Sequence, residues 1–165
     1  MSKTALNEWD SARFLEKAGI QTAHSVILTD ASINTLQRTA EKLGFPVVMK
    51  VLSDDILHKT DAGCVCLNIG TVEEMADAYH TILLNAAKNA PSAKIQGVLV
   101  QQMLPRGFEV LLGVSTDPQF GQVLVAGLGG IYVELLKSVS MRVVPIEQED
   151  AQEMIDETPL KLACE

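Results

Sequence analysis

Two side chains stand out by what surrounds them. His58 lies in a polar run with Asp54, Asp55, Lys59, Thr60 and Asp61, between two apolar stretches. A neutral imidazole is nucleophilic near its unperturbed pKa of roughly 6.5, and a carboxylate three residues on, Asp61, could hold the ring in one tautomer. A histidine in such a loop is otherwise simply solvated, so the residues alone leave both readings open. Lys50 is the one charge in Val47-Val48-Met49-Lys50-Val51-Leu52. A lysine planted in a buried strand needs an explanation, and snorkelling to water is the plainest.

Other groups are excluded as chemistry. Gly127-Leu128-Gly129 follows an apolar strand, as a dinucleotide fingerprint would, but Tyr132 stands where the third glycine belongs and too little chain follows for a full βαβ unit. Cys64, Cys66 and Cys164 form no Cys-x-x-Cys pair and have no histidine pair nearby, so neither a disulfide framework nor zinc is indicated. His24 and His80 match no motif and are read as structural.

The elements that position these residues follow from periodicity and breakers. Asn7 caps a helix over 8–18 that Gly19 stops. A strand at Ser25–Leu28 precedes a helix carrying Ile33, Leu36, Ala40 and Leu43, which ends at Gly44-Phe45-Pro46. Val47–Leu52 and Val65–Ile69 read as strands joined by the polar loop. Thr71 with Glu74 forms a capping box for a long helix burying Met75, Tyr79, Ile82, Leu83 and Ala86. Further strands are expected at Gly97–Met103, Phe108–Val114, Gln122–Ala126 and Met141–Ile146, with a glycine loop over 127–130 and an acidic helix over 148–155. Locally paired strands mixed with packing helices predict an α+β fold with mostly antiparallel sheets. The turn at Pro105 divides a first lobe, about 1–104, from a second, about 105–165.

Composition bounds the rest. With 165 residues, 47% of them hydrophobic, the chain can bury one core. A net charge of −8 and a pI near 4.8 give no basic footprint for nucleic acid or anionic lipid. No apolar run reaches spanning length and no leader pattern opens the chain, so a cytoplasmic protein is the expectation.

Several segments, in order, resemble one family. Phe45-Pro46-Val47-Val48-Met49-Lys50 and Asp55-Ile56-Leu57-His58-Lys59-Thr60-Asp61-Ala62-Gly63 are followed by Gly97-Val98-Leu99-Val100-Gln101, Glu109, Asp117-Pro118-Gln119-Phe120-Gly121, Gly127-Leu128-Gly129-Gly130-Ile131-Tyr132-Val133-Glu134, and Arg142 with Pro145. Together they resemble the ATP-grasp domain of the ADP-forming acyl-CoA synthetases, which include the acetate–CoA ligases. The likeness runs from about Leu6 to Asp156.

The resemblance implies an ATP-grasp-like fold, its first lobe whole and its second lobe in part. It also implies a phosphate relay between ADP/ATP and a histidine during interconversion of acid plus CoA with acyl-CoA. His58 is then the relay histidine, with Asp61 beside it. Lys50 meets the nucleotide phosphates, where a fixed positive charge offsets charge developing in transfer. Gly63 approaches phosphate, although Cys64 stands where the family commonly has a second glycine. Gln101, Gln102 and Met103 present hinge-strand backbone to adenine, with Gln102 in place of the usual Glu. Glu109 faces Lys50 and the phosphates. Glu134, Gly129 and Gly130 lie on the phosphate or metal side, the alternative for Glu134 being a solubility feature. Arg142 meets phosphate or forms a structural ion pair, with Ser138 replacing a more typical Asp.

The same resemblance implies magnesium with the nucleotide, and its family ligands sit in an acidic-Asn-Pro-Leu segment that this sequence lacks. The CoA-binding and ligase domains, with the primary phosphohistidine, are expected as partner domains or subunits. The chain then reads as a fragment or a subunit awaiting others, and exposed core surface on an unfinished lobe would favour a homo-oligomer. The alternative is a non-catalytic nucleotide-binding or assembly module of a fused protein, such as the acyltransferases that carry a synthetase-like region. Which acid is used is not legible.

Overall fold

A computed structural model describes residues 6–105, 107–130 and 139–164. The chain divides into two compact units, Met1–Leu104 and Pro105–Glu165. The first holds α1 (Glu8–Lys17), β1 (Ser25–Leu28), α2 (Ile33–Leu43), β2 (Val47–Leu52), β3 (Val65–Ile69), α3 (Val72–Asn89) and β4 (Gly97–Gln102). The second holds β5 (Val110–Asp117), β6 (Gly121–Leu128), β7 (Val139–Val143), α4 (Gln148–Asp156) and α5 (Lys161–Cys164).

In the first unit the strands form one antiparallel sheet in the order β1-β4-β2-β3. Side chains alternate across a strand, and this decides what each face does. Met49 and Val51 of β2, with Val98 and Val100 of β4, enter a core completed by Leu36 of α2 and Met75, Ile82 and Ala86 of α3. Lys50 therefore leaves from the opposite face, beside Leu99, its register partner on β4.

The helices begin where local hydrogen bonding satisfies their orphan donors. Asn7 Oδ1 accepts from the Asp10 N–H at 2.8 Å, and Ser32 Oγ accepts from the Thr35 N–H at 3.4 Å. Thr71 Oγ1 accepts from the Glu74 N–H at 3.1 Å, but the Glu74 carboxylate accepts from the Gly70 N–H at 2.7 Å, one residue earlier than a standard box. Of the face expected to be buried on α3, Leu83 is only partly covered and Ala78 takes the inner position.

The second unit is a meander, β5-β6-β7, all antiparallel. Asp117 Oδ1 accepts from the N–H groups of Gln119 (2.8 Å) and Phe120 (3.0 Å), turning β5 into β6. Strand β6 runs on to Leu128, taking up half of the expected glycine loop. Strand β5 opens at Val110 rather than Phe108, and β7 lies at Val139–Val143, ahead of the expected span. Pairing sets these limits, since β6 needs partners along its whole length. Helix α4 packs Met154 against Ala126 and Leu128. Val110, Leu112, Val114 and Phe120 remain exposed.

Met75 is fully buried between α3 and the sheet. Met75→Ala should lower the stability of the chain by about 2–5 kcal/mol. The shift of the urea midpoint measures it, and a change below half a kcal/mol would show that α3 does not close this core.

Candidate functional site

The sheet face that carries Lys50 becomes a site because three elements send charge to it. Lys50 Nζ donates to Gln101 Oε1 on β4 (2.8 Å) and to Glu8 Oε1 in the first turn of α1 (2.5 Å). Lys59, from the loop between β2 and β3, donates to the other oxygen of the same carboxylate, Glu8 Oε2, at 3.1 Å. The side chains are 23% (Lys50), 18% (Lys59) and 32% (Glu8) exposed. Solvent screening is therefore weaker here than for a surface pair. Burial pulls the Glu8 carboxyl up, but the hydrogen bonds and charges of Lys50 and Lys59 outweigh it and hold the group below its usual value of 4.5.

His58 and Asp61 enter from one turn of that loop, closed by the Ala62 N–H donating to His58 O at 3.1 Å. They line, with Lys50, Lys59 and Glu8, an open cleft of about 480 Å³. Both are exposed, and no hydrogen bond joins them. Three residues of tight turn bring the two into one cleft without directing one at the other.

The loop is pinned from beneath by α3. Asn85 Nδ2 donates to Gly63 O at 2.6 Å and Asn89 Nδ2 to Ala62 O at 2.9 Å. Gly63 has φ +66°, and a Cβ there would come within 3.0 Å of Asn85 Nδ2, so both the conformation and the close approach call for glycine. Cys64 does not share the positive φ. It is fully buried, with Sγ 3.8 Å from Ile82 O of α3, so the core takes up the side chain that replaces a glycine. Burial pushes its thiol up, keeping it neutral.

Gln101, Gln102 and Met103 close the strand that borders the site. The Gln102 N–H donates to His24 O (3.0 Å) and the Met103 N–H to Pro46 O (3.1 Å), so these two donors are satisfied within the unit and are not free for adenine. Gln101 instead reaches the site with its side chain.

In the second unit, Glu109 and the glycines meet. The Gly129 N–H donates to Glu109 O at 2.6 Å. Gly130 has φ +60°, and a Cβ there would overlap the Glu109 carboxylate. Glu134 lies outside the described residues. Arg142 is committed to an ion pair between β7 and α4, its guanidinium donating to Glu157 Oε1 (2.8 Å), Glu153 Oε2 (3.3 Å) and Ser140 Oγ (3.1 Å). The Glu157 hydrogen bond raises the guanidinium pKa further, and the same bond lowers that of Glu157. Of the two roles expected for Arg142, this geometry is that of the structural ion pair. Among the described residues no group of three or more His, Cys, Asp or Glu side chains is arranged to hold a metal ion, and no helix is long and apolar enough to cross a membrane.

Sequence reasoning missed Glu8 and Lys59 as site residues. Glu8 reads as an ordinary acid in the first turn of a helix, and only the fold carries it to a lysine 42 residues away. Lys59 is the neighbour of His58, and a lysine beside a candidate phosphate acceptor was the available signal.

The sequence profile of the family described as an ATP-grasp domain matches residues 1–164. The chain is 42% identical over 155 residues to the beta subunit of acetate–CoA ligase [ADP-forming] II of Pyrococcus furiosus, covering 94% of this chain and 65% of that protein. It is similar to the dinucleotide-forming acetyl-coenzyme A synthetase 1 of Ca. Korarchaeum cryptofilum in complex with coenzyme A and Ca-AMPCP, with a TM-score of 0.88 and 36% identity over 98% of this chain and 70% of that one. A second structure of that enzyme holds coenzyme A and Mg-AMPPCP, with its phosphohistidine segment pointing towards the nucleotide-binding site. It gives a TM-score of 0.79 at 34% identity, covering 97% of this chain and 67% of that one. The chain thus spans less than two thirds of the length of its Pyrococcus relative.

Trp9 is the chain's single tryptophan and follows Glu8 directly. A carboxyl with a lowered pKa stabilises fully above its ordinary value of 4.5, and that contribution is lost as pH falls through the lowered one. Acidification should therefore shift Trp9 fluorescence in a step below the ordinary carboxyl value of 4.5 that Glu8→Gln lacks. A step of equal size in both proteins would assign it to some other carboxylate.

Proposed function

This chain belongs to the ATP-grasp domain family of the ADP-forming acyl-CoA synthetases, and from that premise we propose that it is the nucleotide-binding part of such an enzyme, passing phosphate between a histidine and ADP. One observation carries the reading. Two lysine ammonium groups converge on a single anion position in a cleft that His58 also lines. Positive charge fixed beside an imidazole is what phosphoryl transfer requires of a protein, because there is little else for it to do than position the groups and offset their charge.

In this reading a phosphohistidine from a ligase domain approaches the cleft, a course supported by the Korarchaeum enzyme, whose phosphohistidine segment points towards its nucleotide-binding site. The incoming N–P bond breaks as an N–P bond to His58 forms. That bond then breaks as an ADP oxygen takes the phosphoryl group, giving ATP. Lys50 and Lys59 hold the phosphate oxygens, Gly63 lets the loop backbone come close, and Gln101 keeps the Lys50 ammonium directed at the cleft. Magnesium expected with the nucleotide does not find a ligand set among the described residues, and we assign its protein ligands to other parts of the enzyme. The CoA-binding and ligase domains are the proposed partners, and with them the parent activity interconverts acid, CoA and ATP with acyl-CoA, ADP and phosphate.

Titration of the chain with ADP and ATP by calorimetry, with and without magnesium, tests the nucleotide claim. Lys50→Ala should weaken ADP binding about 10- to 100-fold, as expected for a hydrogen bond to a charged group. Binding that is unchanged in the variant, or absent from the folded wild type, would overturn this assignment.

A further inference from the structure

The anion position between Lys50 and Lys59 is already filled by the chain's own Glu8. Its two carboxylate oxygens are divided between them, one to each ammonium. Phosphate oxygens would seek the same two donors. Helix α1 fully buries none of its residues, and Glu8, Trp9, Ser11 and Ala12 are half-buried. Among the described residues, the side-chain hydrogen bonds joining it to the sheet and the polar loop come from its N-cap and first turn alone. Those of Glu8 are joined by Asn7 Nδ2, which donates to Asp54 Oδ1 at 3.0 Å and to Gln96 Oε1 at 3.3 Å. Beyond that point Phe14 and Leu15 are exposed, and the Arg13 guanidinium lies 4.4 Å over the Trp9 ring within the helix itself.

We infer that Glu8 is the resident anion of the phosphate site and α1 a removable plug, so that phosphate binding displaces the carboxylate and frees the first turn of the helix. The inference rests on the nucleotide reading above. Charge sets its direction. One carboxylate leaves the lysine pair with a net positive charge, whereas the phosphate chain of ADP carries more than enough to neutralise both, so exchange is favoured once ligand is present. While Glu8 is seated, the binding-competent fraction is reduced, and the apparent affinity for ADP falls by the same fraction.

Glu8→Gln keeps the shape and removes the charge. It should bind ADP about tenfold more tightly than the wild type. Its α1 amides should exchange with solvent faster without ligand, while those of β2 and β4 stay unchanged. In the wild type, ADP should speed exchange over 8–17 to the same extent. Lys59→Ala, which keeps the Lys50–Glu8 contact, should loosen α1 less than Glu8→Gln does and bind ADP more weakly, which separates release of the helix from gain of affinity. Equal ADP affinity in wild type and Glu8→Gln, or ADP binding that leaves α1 exchange untouched, would overturn the plug while leaving the nucleotide site standing. If neither protein binds ADP, the nucleotide reading fails, and inorganic tripolyphosphate decides the plug: faster α1 exchange on adding it sustains displacement by phosphate, and unchanged exchange overturns it.

Discussion

The structure turns on one constraint: a lysine placed in the middle of a strand whose neighbours are buried must be given an anion or water. In β2 the alternation of the pleat puts Met49 and Val51 into the core and leaves Lys50 no choice of side. The core that makes β2 a strand is thereby what aims the charge. Everything else in the first unit follows from satisfying that ammonium. Strand β4 places Gln101 beside it, α1 supplies Glu8, and the loop between β2 and β3 brings a second lysine and the histidine to the same cleft.

Position alone would not keep the loop useful. Three backbone hydrogen bonds turn it between His58 and Cys64, and amide side chains of α3 hold two of its carbonyls from below. The helix that seals the core with Met75 and Ile82 thus also fixes the floor of the site with Asn85 and Asn89. Packing and chemistry share one element, which explains how a cysteine is tolerated after Gly63. Cys64 turns inward and becomes part of the core, and the loop keeps its course with one glycine where two were expected.

Much of this was legible in the sequence because it is local. Strand and helix positions follow from breakers such as Gly44-Phe45-Pro46 and caps such as Asn7 and Thr71, and the isolated charge of Lys50 announces itself in an apolar run. What stayed hidden depends on contacts distant in sequence. Nothing in the first turn of α1 says that Glu8 will meet Lys50, and nothing in Gln102 or Met103 says that their N–H groups will be taken by His24 and Pro46. The choice between two roles for Arg142 was likewise undecidable until α4 brought Glu153 and Glu157 alongside β7. Side-chain types indicate what a residue can do, whereas which partner occupies it is a property of the assembled fold.

A carboxylate and a phosphate make the same demand on a pair of ammonium groups, since each offers oxygens that accept charge-assisted hydrogen bonds from separate donors. Two cations held close without an anion would repel and pull the loop away from β2. Glu8 removes that penalty while the cleft awaits a ligand, keeping Lys59, and with it the neighbouring His58, near Lys50. The same contact that lowers affinity for an incoming phosphate therefore preserves the geometry the phosphate needs. That double consequence follows from a single carboxylate shared by two lysines, and it requires no element of the fold beyond the first turn of α1.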